Sequence, residues 1–242
     1  MSARHDFGAR AARYDDLRPP DAAWWEVYES IVRAGDLRGR RVLEVGCGTG
    51  LLAAALAERD AAKVWAVDAE PAMVEVARRR LPSVRVARAE VLPFKDGWFE
   101  RVVLRLAVHL VERERALAEL RRVLGAGGRA VIATFDLSHF DGFWLDRLFP
   151  RLREIDLARF PAPGALCAEL EAVGFAATRI VRLSLATESS RETQLEKIRG
   201  RHISTFDLLT DAELAKGTAR AERELPERVE SRQEWAIVVA DA

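Results

Sequence analysis

Between residues 40 and 135 the chain alternates short apolar runs with longer segments in which apolar residues recur at helical spacing. Short apolar runs bounded by glycine, such as "RRVLEV" between Gly39 and Gly46, are typical of buried strands. This pattern predicts five strands: "RRVLEV", "AKVWAVD", "SVRVAR", "FERVVLRLAVH" and "RAVIATF". It predicts helices for "LLAAALAERD", "EPAMVEVARRRL" and "ERERALAELRRVL", the last of them ended by "GAGG".

Strands that alternate with helices predict a parallel sheet with right-handed crossovers. Two later segments, "AATRIVRLSLATE" and "EWAIVVADA", alternate apolar and polar residues and predict an antiparallel pair at one sheet edge. We therefore expect an α/β fold, a doubly wound sheet of seven strands that is mostly parallel with an antiparallel last strand and has helices on both faces. In such sheets, ligands bind beyond the carboxyl ends of the strands.

We expect one domain over residues 1–242. Residues 1–36 are predicted to form a separate N-terminal helical segment that caps the core. Residues 137–162 and 190–227 are predicted to be helical insertions. The first insertion carries four large apolar side chains at near-helical spacing: Phe140, Phe143, Trp144 and Leu148. They fit either core packing or a lid over an apolar substrate.

Charge and composition exclude several classes of protein. The 38 basic and 38 acidic side chains cancel, which argues against a nucleic-acid partner. No run of about 18 apolar residues occurs, so we expect no membrane span. The charged start predicts no secretory signal, and Cys47 and Cys167 form no metal or disulfide pattern. We expect a cytoplasmic protein with a small-molecule partner and no metal. The oligomeric state stays open.

Other charged and polar residues fit surface roles. Arg78, Arg79 and Arg80 are consecutive and fan around a helix, so we expect a solvated helix end. Three histidines without a partner pattern are also predicted to lie on the surface: His5, His139 and His202.

The sequence "GCGTG" at 46–50 places three glycines where the first strand turns into a helix. Glycine permits positive φ angles and lets a ligand approach the backbone closely. The helix N-terminus that follows suits a carboxylate or phosphate. Asp68 ends the second strand, 22 residues after Gly46. An acid at this position accepts hydrogen bonds from ribose hydroxyls, although Asp68 also fits a helix cap.

One alternative is an NAD(P)-dependent oxidoreductase. The dinucleotide fingerprint has glycine or alanine at its sixth position, where this chain has Leu51. Leucine there crowds both the helix–strand packing and the pyrophosphate, so the turn disfavours NAD(P).

The motifs "VLEVGCGTG", "VDAEPAMVEVAR", "AEVLPFKDGWFERVV" and "ELRRVLGAGGRAVIATF" resemble those of class I S-adenosylmethionine-dependent methyltransferases. The chain looks most similar to the small-molecule group that includes ubiquinone and menaquinone biosynthesis enzymes. The resemblance implies a Rossmann-like fold, S-adenosylmethionine as cofactor and S-adenosylhomocysteine as its product. It also implies in-line methyl transfer to O, N or C of a small organic acceptor. A non-catalytic module that keeps the fold is a further alternative.

The resemblance implies a set of cofactor-binding residues: Tyr14, Glu44, Gly46, Cys47, Gly48, Asp68, Ala69, Met73, Ala89, Glu90 and Arg105. Gly46 and Gly48 would face the methionine part, with Glu44 placing its ammonium group. Asp68 would bind the ribose. The backbone of Ala89 would contact the adenine edge, and Met73 would pack on adenine or belong to the core.

The chain departs from the family pattern at Arg88, where an aspartate usually accepts a hydrogen bond from the adenine amine. Arginine has no acceptor. Either Glu90 substitutes for the aspartate, or backbone and apolar contacts alone hold the adenine.

The sulfonium of the cofactor is already activated, so the protein has to orient the acceptor and exclude water. His109 follows the fourth strand and is the candidate general base, with packing under the next helix as the alternative. Arg105 would meet an anionic group of the substrate or the cofactor carboxylate, or contribute backbone contacts. Tyr14 would close the site or pin the N-terminal cap to the core.

Overall fold

Seven strands form one sheet in the computed structural model, which describes residues 7–242 except the side chain of residue 9. In chain order the strands are β1 (Arg41–Val45), β2 (Lys63–Asp68), β3 (Val84–Val86), β4 (Phe99–Arg105), β5 (Leu124–Phe135), β6 (Ala177–Ser190) and β7 (Arg228–Asp241). Across the sheet their order is β3-β2-β1-β4-β5-β7-β6. β7 runs antiparallel to both neighbours and all other pairs are parallel, which confirms the predicted sheet.

Helices follow most of the strands. In chain order they are α1 (Phe7–Arg10), α2 (Tyr14–Leu17), α3 (Ala22–Gly35), α4 (Leu51–Arg59), α5 (Pro71–Arg78), α6 (Arg113–Val123), α7 (Trp144–Leu148), α8 (Leu152–Arg159), α9 (Pro163–Ala172), α10 (Arg191–Arg199) and α11 (Asp211–Glu224). Short 3-10 turns lie at 11–13, 108–110, 137–140 and 204–208. Within residues 7–242, no helix has both the length and the apolar composition that crossing a membrane requires.

Two hydrophobic cores cover the two faces of the sheet. Along β1, Val42 packs with residues of α3, α4 and α5, whereas Leu43 packs with residues of α6 and α9. Neighbouring strand residues point to opposite faces, so a strand that is apolar at every position is buried on both. The apolar residues Val42, Leu43 and Val45 of β1 are explained by this double burial.

Two strands begin several residues before their predicted starts. β5 begins at Leu124, so the "GAGG" glycines lie inside the strand, where its register against β4 shifts between Phe99 and Arg101. β7 begins at Arg228, and it pairs with β6 over the whole length from Ser190↔Arg228 to Ala177↔Asp241. Because β5 pairs with β7 only as far as Trp235, residues 184–190 and 228–234 extend past the sheet as a two-stranded ribbon.

A third core lies outside the sheet. It joins apolar residues of α7, α8, α10 and α11 with Phe206 and with Val229 of the ribbon. We call residues 144–159 and 191–224 the helical cap, since both insertions contribute to one core. Phe140 and Leu148 are buried, which favours the packing interpretation of the aromatic-rich segment over the lid.

Close packing inside the helical cap generates a stability prediction. A Cβ added at Gly217 of α11 would overlap the ring of Phe149. Gly217→Ala should therefore lower the free energy of unfolding by about 1–2 kcal/mol, although alanine favours helix. Gly164, in α9, is the matched control because nothing lies within 4 Å of its added Cβ. Gly164→Ala should be neutral or stabilise by up to about 1 kcal/mol in urea unfolding. Equal effects at the two positions would contradict this packing.

Candidate functional site

The turn after β1 adopts a conformation that side chains would prevent. Gly46, Gly48 and Gly50 have φ angles of 74°, 53° and 80°. A Cβ on Gly46 would stand 2.6 Å from the Cβ of Ala107, whereas the space beside Gly48 is open. The backbone N–H groups of Gly46 and Cys47 both donate to the Val67 carbonyl, at 2.9 and 3.0 Å. These bonds hold the turn against the end of β2.

Asp68 is bound to the turn through its carboxylate. Its Oδ2 accepts the Gly48 backbone N–H at 2.7 Å, and its Oδ1 accepts the Glu70 backbone N–H at 2.9 Å. Burial raises the pKa of Asp68, and the two backbone hydrogen bonds oppose that rise. Glu70, and not Asp68, is the residue at the N-cap of α5. Asp68 therefore joins the glycine turn to the start of the segment that leads into α5.

Glu44 lies beneath the turn and is only 3% exposed. It accepts a hydrogen bond from the backbone N–H of Ala53 in α4, while its Oε2 is buried without a hydrogen-bond partner among the described residues. Burial raises the pKa of Glu44 to about 8, against the attraction of Arg105. A buried carboxyl group with spare hydrogen-bonding capacity is typical of a binding site.

Arg105, at the end of β4, is enclosed by aromatic rings. Its guanidinium carbon lies 5.4 Å from the ring centroids of both Trp24 and Trp235. Burial lowers the pKa of Arg105 to about 10, so the side chain stays cationic at neutral pH. The charge of Arg105 lies at the carboxyl edge of the sheet.

The loop after β4 connects the glycine turn to an aromatic layer. His109 stacks on Phe160 with ring centroids 3.9 Å apart and planes inclined by 18°. Phe160 lies 6.0 Å from Phe135, which is 4.6 Å from Trp235. We call His109, Phe135, Phe160 and Trp235 the aromatic layer. It borders the glycine turn through Ala107 and offers flat apolar surface beside the candidate base.

The N-terminal segment, residues 7–18, is fixed at the turn. The Thr49 hydroxyl donates to Asp15 at 2.6 Å, and Arg80 donates both to Asp15 at 2.7 Å and to the Thr49 carbonyl at 2.8 Å. Tyr14 lies next to this link, and its hydroxyl accepts a hydrogen bond from Arg18 at 3.0 Å. The contacts of Asp15 place this segment directly over the glycine turn.

The same segment also contacts the helical cap. Arg10 forms an ion pair with Asp207 at 2.7 Å and donates to the Arg201 carbonyl at 2.6 Å. Residues 7–18 therefore bridge the turn and the cap, and cover the space between them.

The predicted adenine end is more open. Met73 and Ala89 are buried, and Ala69 is exposed. Arg88 points into solvent and donates to Glu90 at 3.2 Å, and Glu90 also accepts the Glu112 backbone N–H at 2.9 Å. Three large apolar side chains on this side of the carboxyl edge are exposed: Val86 (48%), Val91 (73%) and Leu110 (37%).

Several surface predictions need correction. His139 is buried, because its ring stacks on Phe135 at 4.0 Å, and burial lowers its pKa to about 4. His202 is partly buried, and its Nδ1 lies 3.0 Å from the Lys197 carbonyl oxygen. Arg80 is on a helix end as predicted but is ion-paired to Asp15. His5 lies outside the described residues.

Sequence reasoning missed four residues of this region: Asp15, Thr49, Arg80 and Phe160. The first three carry no periodic signal, since Asp15 lies 34 residues from Thr49 and 65 from Arg80. The many aromatic residues in 137–162 were the sequence feature from which a role for Phe160 near the site could have been predicted. No set of three or more His, Cys, Asp and Glu side chains suited to a metal occurs in the part of the chain that the structure describes.

Sheet order and site together define a nucleoside-binding protein of the doubly wound α/β class, with a glycine turn after β1 and an acid after β2. Comparison with known proteins narrows this class. Residues 43–132 match a family model described as a methyltransferase domain. Demethylmenaquinone methyltransferase of Thermus thermophilus is 34% identical over 213 residues, which cover 75% of this chain and 94% of that protein. The chain belongs to the class I S-adenosylmethionine-dependent methyltransferases, and within them it is similar to the ubiquinone/menaquinone biosynthesis enzymes.

Other matches agree with this assignment. The ubiquinone/menaquinone biosynthesis C-methyltransferase of Bordetella avium is 37% identical over 142 residues, 53% of this chain and 55% of that protein. The chain thus spans about half the length of several curated relatives that it matches. In fold, it is similar to the crystal structure of the Bacillus subtilis YcgJ protein, with a TM-score of 0.64 and 20% identity over 90% of this chain and 98% of that one.

Burial of Glu44 generates a pH prediction. Its pKa is raised from 4.5 to about 8, so the protonated form stabilises the fold. This contribution is fully present below about pH 4.5 and is lost as the pH rises through about 8. Glu44→Gln keeps the size and stays neutral. The ligand-free variant should lose less stability than the parent between pH 5 and pH 8, by on the order of 2 kcal/mol.

Urea unfolding at the two pH values measures this difference. Glu75→Gln, on the exposed face of α5, is the matched control and should follow the parent protein. The same pH dependence in Glu44→Gln and the parent would show that Glu44 is not buried as described.

Proposed function

We propose that this protein transfers a methyl group from S-adenosylmethionine to O, N or C of a small organic acceptor. One observation carries the proposal: the Gly48 N–H and the Asp68 carboxylate meet at 2.7 Å, beside open space at the turn. A bare backbone next to an acid suits a ligand that combines an amino acid with a ribose. Family membership supports that ligand and disfavours the NAD(P) alternative.

The residues present fit this cofactor. Glu44 has a free buried oxygen that can accept from the ammonium group, and Arg105 supplies a cation for the carboxylate. Asp68 retains carboxylate lone pairs for the ribose hydroxyls, because each oxygen accepts one backbone N–H. Val86 and Val91 would be covered by the adenine. Glu90 is engaged by Arg88 and Glu112, so we favour backbone and apolar contacts for the adenine over a Glu90 hydrogen bond.

When bound, the cofactor supplies an activated methyl group on its sulfonium. The chain then has to hold the acceptor in line and keep water out. The aromatic layer offers a flat apolar surface for the acceptor, and residues 7–18 cover the turn. His109, at the edge of that layer, would remove a proton from a hydroxyl or an acidic carbon. The relatives named for quinone biosynthesis support an acceptor with an aromatic body.

Cofactor binding is tested by isothermal titration with S-adenosylhomocysteine. The parent protein should bind it saturably. Asp68→Asn should weaken binding at least tenfold, because the charged acceptor of the ribose hydroxyls is lost. Asp96→Asn is the matched control, since Asp96 is an exposed carboxylate that pairs with Arg122 ahead of β4. A folded parent protein that gives no binding heat would end the proposal.

Catalysis by His109 is tested with a panel of phenols and quinols, with S-adenosylhomocysteine formation as the readout. His109→Phe keeps an aromatic ring against Phe160 but has no proton acceptor. It should lower kcat about 10²–10⁴-fold while leaving affinity for S-adenosylhomocysteine within about twofold. An unchanged kcat would show that His109 is a packing residue. Cofactor binding without turnover of any acceptor would favour the non-catalytic module.

The expected cytoplasmic location and the expected absence of a nucleic-acid partner stay predictions.

A further inference from the structure

Three basic side chains near the glycine turn and the helical cap lack a counter-ion. Among residues 7–242, no carboxylate oxygen lies within 4.0 Å of Arg18, Arg105 or Lys197. Many other basic side chains form ion pairs, as Arg122 does with both Asp96 and Glu119. Arg18, Arg105 and Lys197 combine the lack of such a pair with partial burial.

Arg18 lies close enough to Arg105 and to Lys197 to repel both. Burial lowers the pKa of Lys197, the attraction of Asp21 opposes that change, and the smaller repulsion by Arg18 adds to it. For Arg105, burial is likewise the main cause of the lowered pKa, and repulsion by Arg18 is the next. Arg18 is therefore near both Arg105 at the sheet edge and Lys197 in the last turn of α10.

Packing fixes this arrangement. Leu17 contacts the end of α10 so closely that a Cβ on Gly200 would lie 2.7 Å from Leu17 Cδ1. The Arg18 side chain is held by the Tyr14 hydroxyl at 3.0 Å. Asp21 is the nearby acid, but its Oδ1 caps α3 by accepting the Trp24 backbone N–H at 2.8 Å. The packing of Leu17 on the end of α10 thus brings Arg18 near Lys197, and Asp21 attracts Lys197 without forming an ion pair with it.

Partly buried cations that lie near each other without an ion pair cost folding free energy. A bound anion removes that cost, and it gains charge-assisted hydrogen bonds from both side chains. The carboxylate of the proposed cofactor is one such anion, and Arg105 is the cation next to Glu44 and the turn. Arg18 and Lys197 then remain for a second anion, on the side of the helical cap.

We propose that the acceptor carries an anionic group, a carboxylate or a phosphate, which Arg18 and Lys197 bind while its body lies on the aromatic layer. The proposal rests on the methyltransferase function proposed above and specifies its substrate class. The planar fork of Arg18 suits two oxygens of one anion, and the ammonium of Lys197 adds a point charge. Residues 7–18 and α10 together would thus select acceptors by charge.

Direct binding of aromatic probes tests this assignment, with protein tryptophan fluorescence as the readout. The probes are 2-naphthoate, 2-naphthyl phosphate and neutral 2-naphthamide, each titrated with and without saturating S-adenosylhomocysteine. At least one anionic probe should bind at least tenfold more tightly than the amide. The ranking of carboxylate against phosphate identifies the anionic group.

Variants assign the preference to the two cations. Arg18→Gln and Lys197→Met should each reduce the anion-over-amide preference at least fivefold, while amide binding and S-adenosylhomocysteine affinity stay within about twofold. Arg13→Gln, on the same segment as Arg18, and Lys216→Met, on the neighbouring helix α11 of the helical cap, are matched controls, because both side chains are exposed and should leave the preference unchanged.

Two outcomes would overturn the inference: equal binding of anionic and neutral probes, and an anion preference that survives both substitutions. Absence of saturable binding by every probe also counts against it. Failure of the parent protein to bind S-adenosylhomocysteine is a separate result. It would refute the proposed function, while the probe titrations on the cofactor-free protein would still report on the anion site.

Discussion

The site depends on the hydrogen bond that joins the ends of two neighbouring strands, from the Gly48 N–H to the Asp68 carboxylate. It forms because β1 and β2 are parallel and in register up to Val45↔Val67. Both strands therefore end at the same edge of the sheet. The turn also depends on its glycines, because all three have positive φ angles and a Cβ on Gly46 would overlap Ala107. The groups that would hold the cofactor are therefore positioned before it binds, which reduces the ordering cost of binding.

Two buried polar groups near this turn lower the stability of the ligand-free fold. Glu44 keeps a buried oxygen without a partner among the described residues, and Arg105 keeps a buried charge between two tryptophan rings. Each arrangement disfavours the ligand-free fold, and neither is needed to close the sheet. Perturbed ionisable groups of this kind concentrate at functional sites, where a ligand completes their interactions. The apolar cores on both faces of the sheet compensate for this cost.

The sequence predicted those parts of the fold that depend on neighbouring residues in the chain. The run "RRVLEV", the glycines after it and the acid at 68 are local signals, and the sheet and turn follow from them. The link between Asp15 and Thr49 was not predictable, because polar pairs far apart in sequence leave no periodicity. Burial of His139 was not predicted because histidine is usually counted as a polar residue. Its neutral imidazole ring instead stacks on Phe135 as an aromatic side chain would. The ribbon was not predicted because the charged residues after Arg228 interrupt the apolar pattern by which a strand is recognised.

The ribbon has a consequence for how such a protein can diversify. Its strands are paired at Ser190↔Arg228, and the Arg191 N–H donates to the Glu227 carbonyl at 3.0 Å, so the chain leaves and re-enters the hairpin at adjacent points. Lengthening or shortening the segment between two such points changes the entropy of loop closure only slowly. Evolution can therefore change the length of residues 191–227, and with it the helical cap, while the strands and the glycine turn stay unchanged.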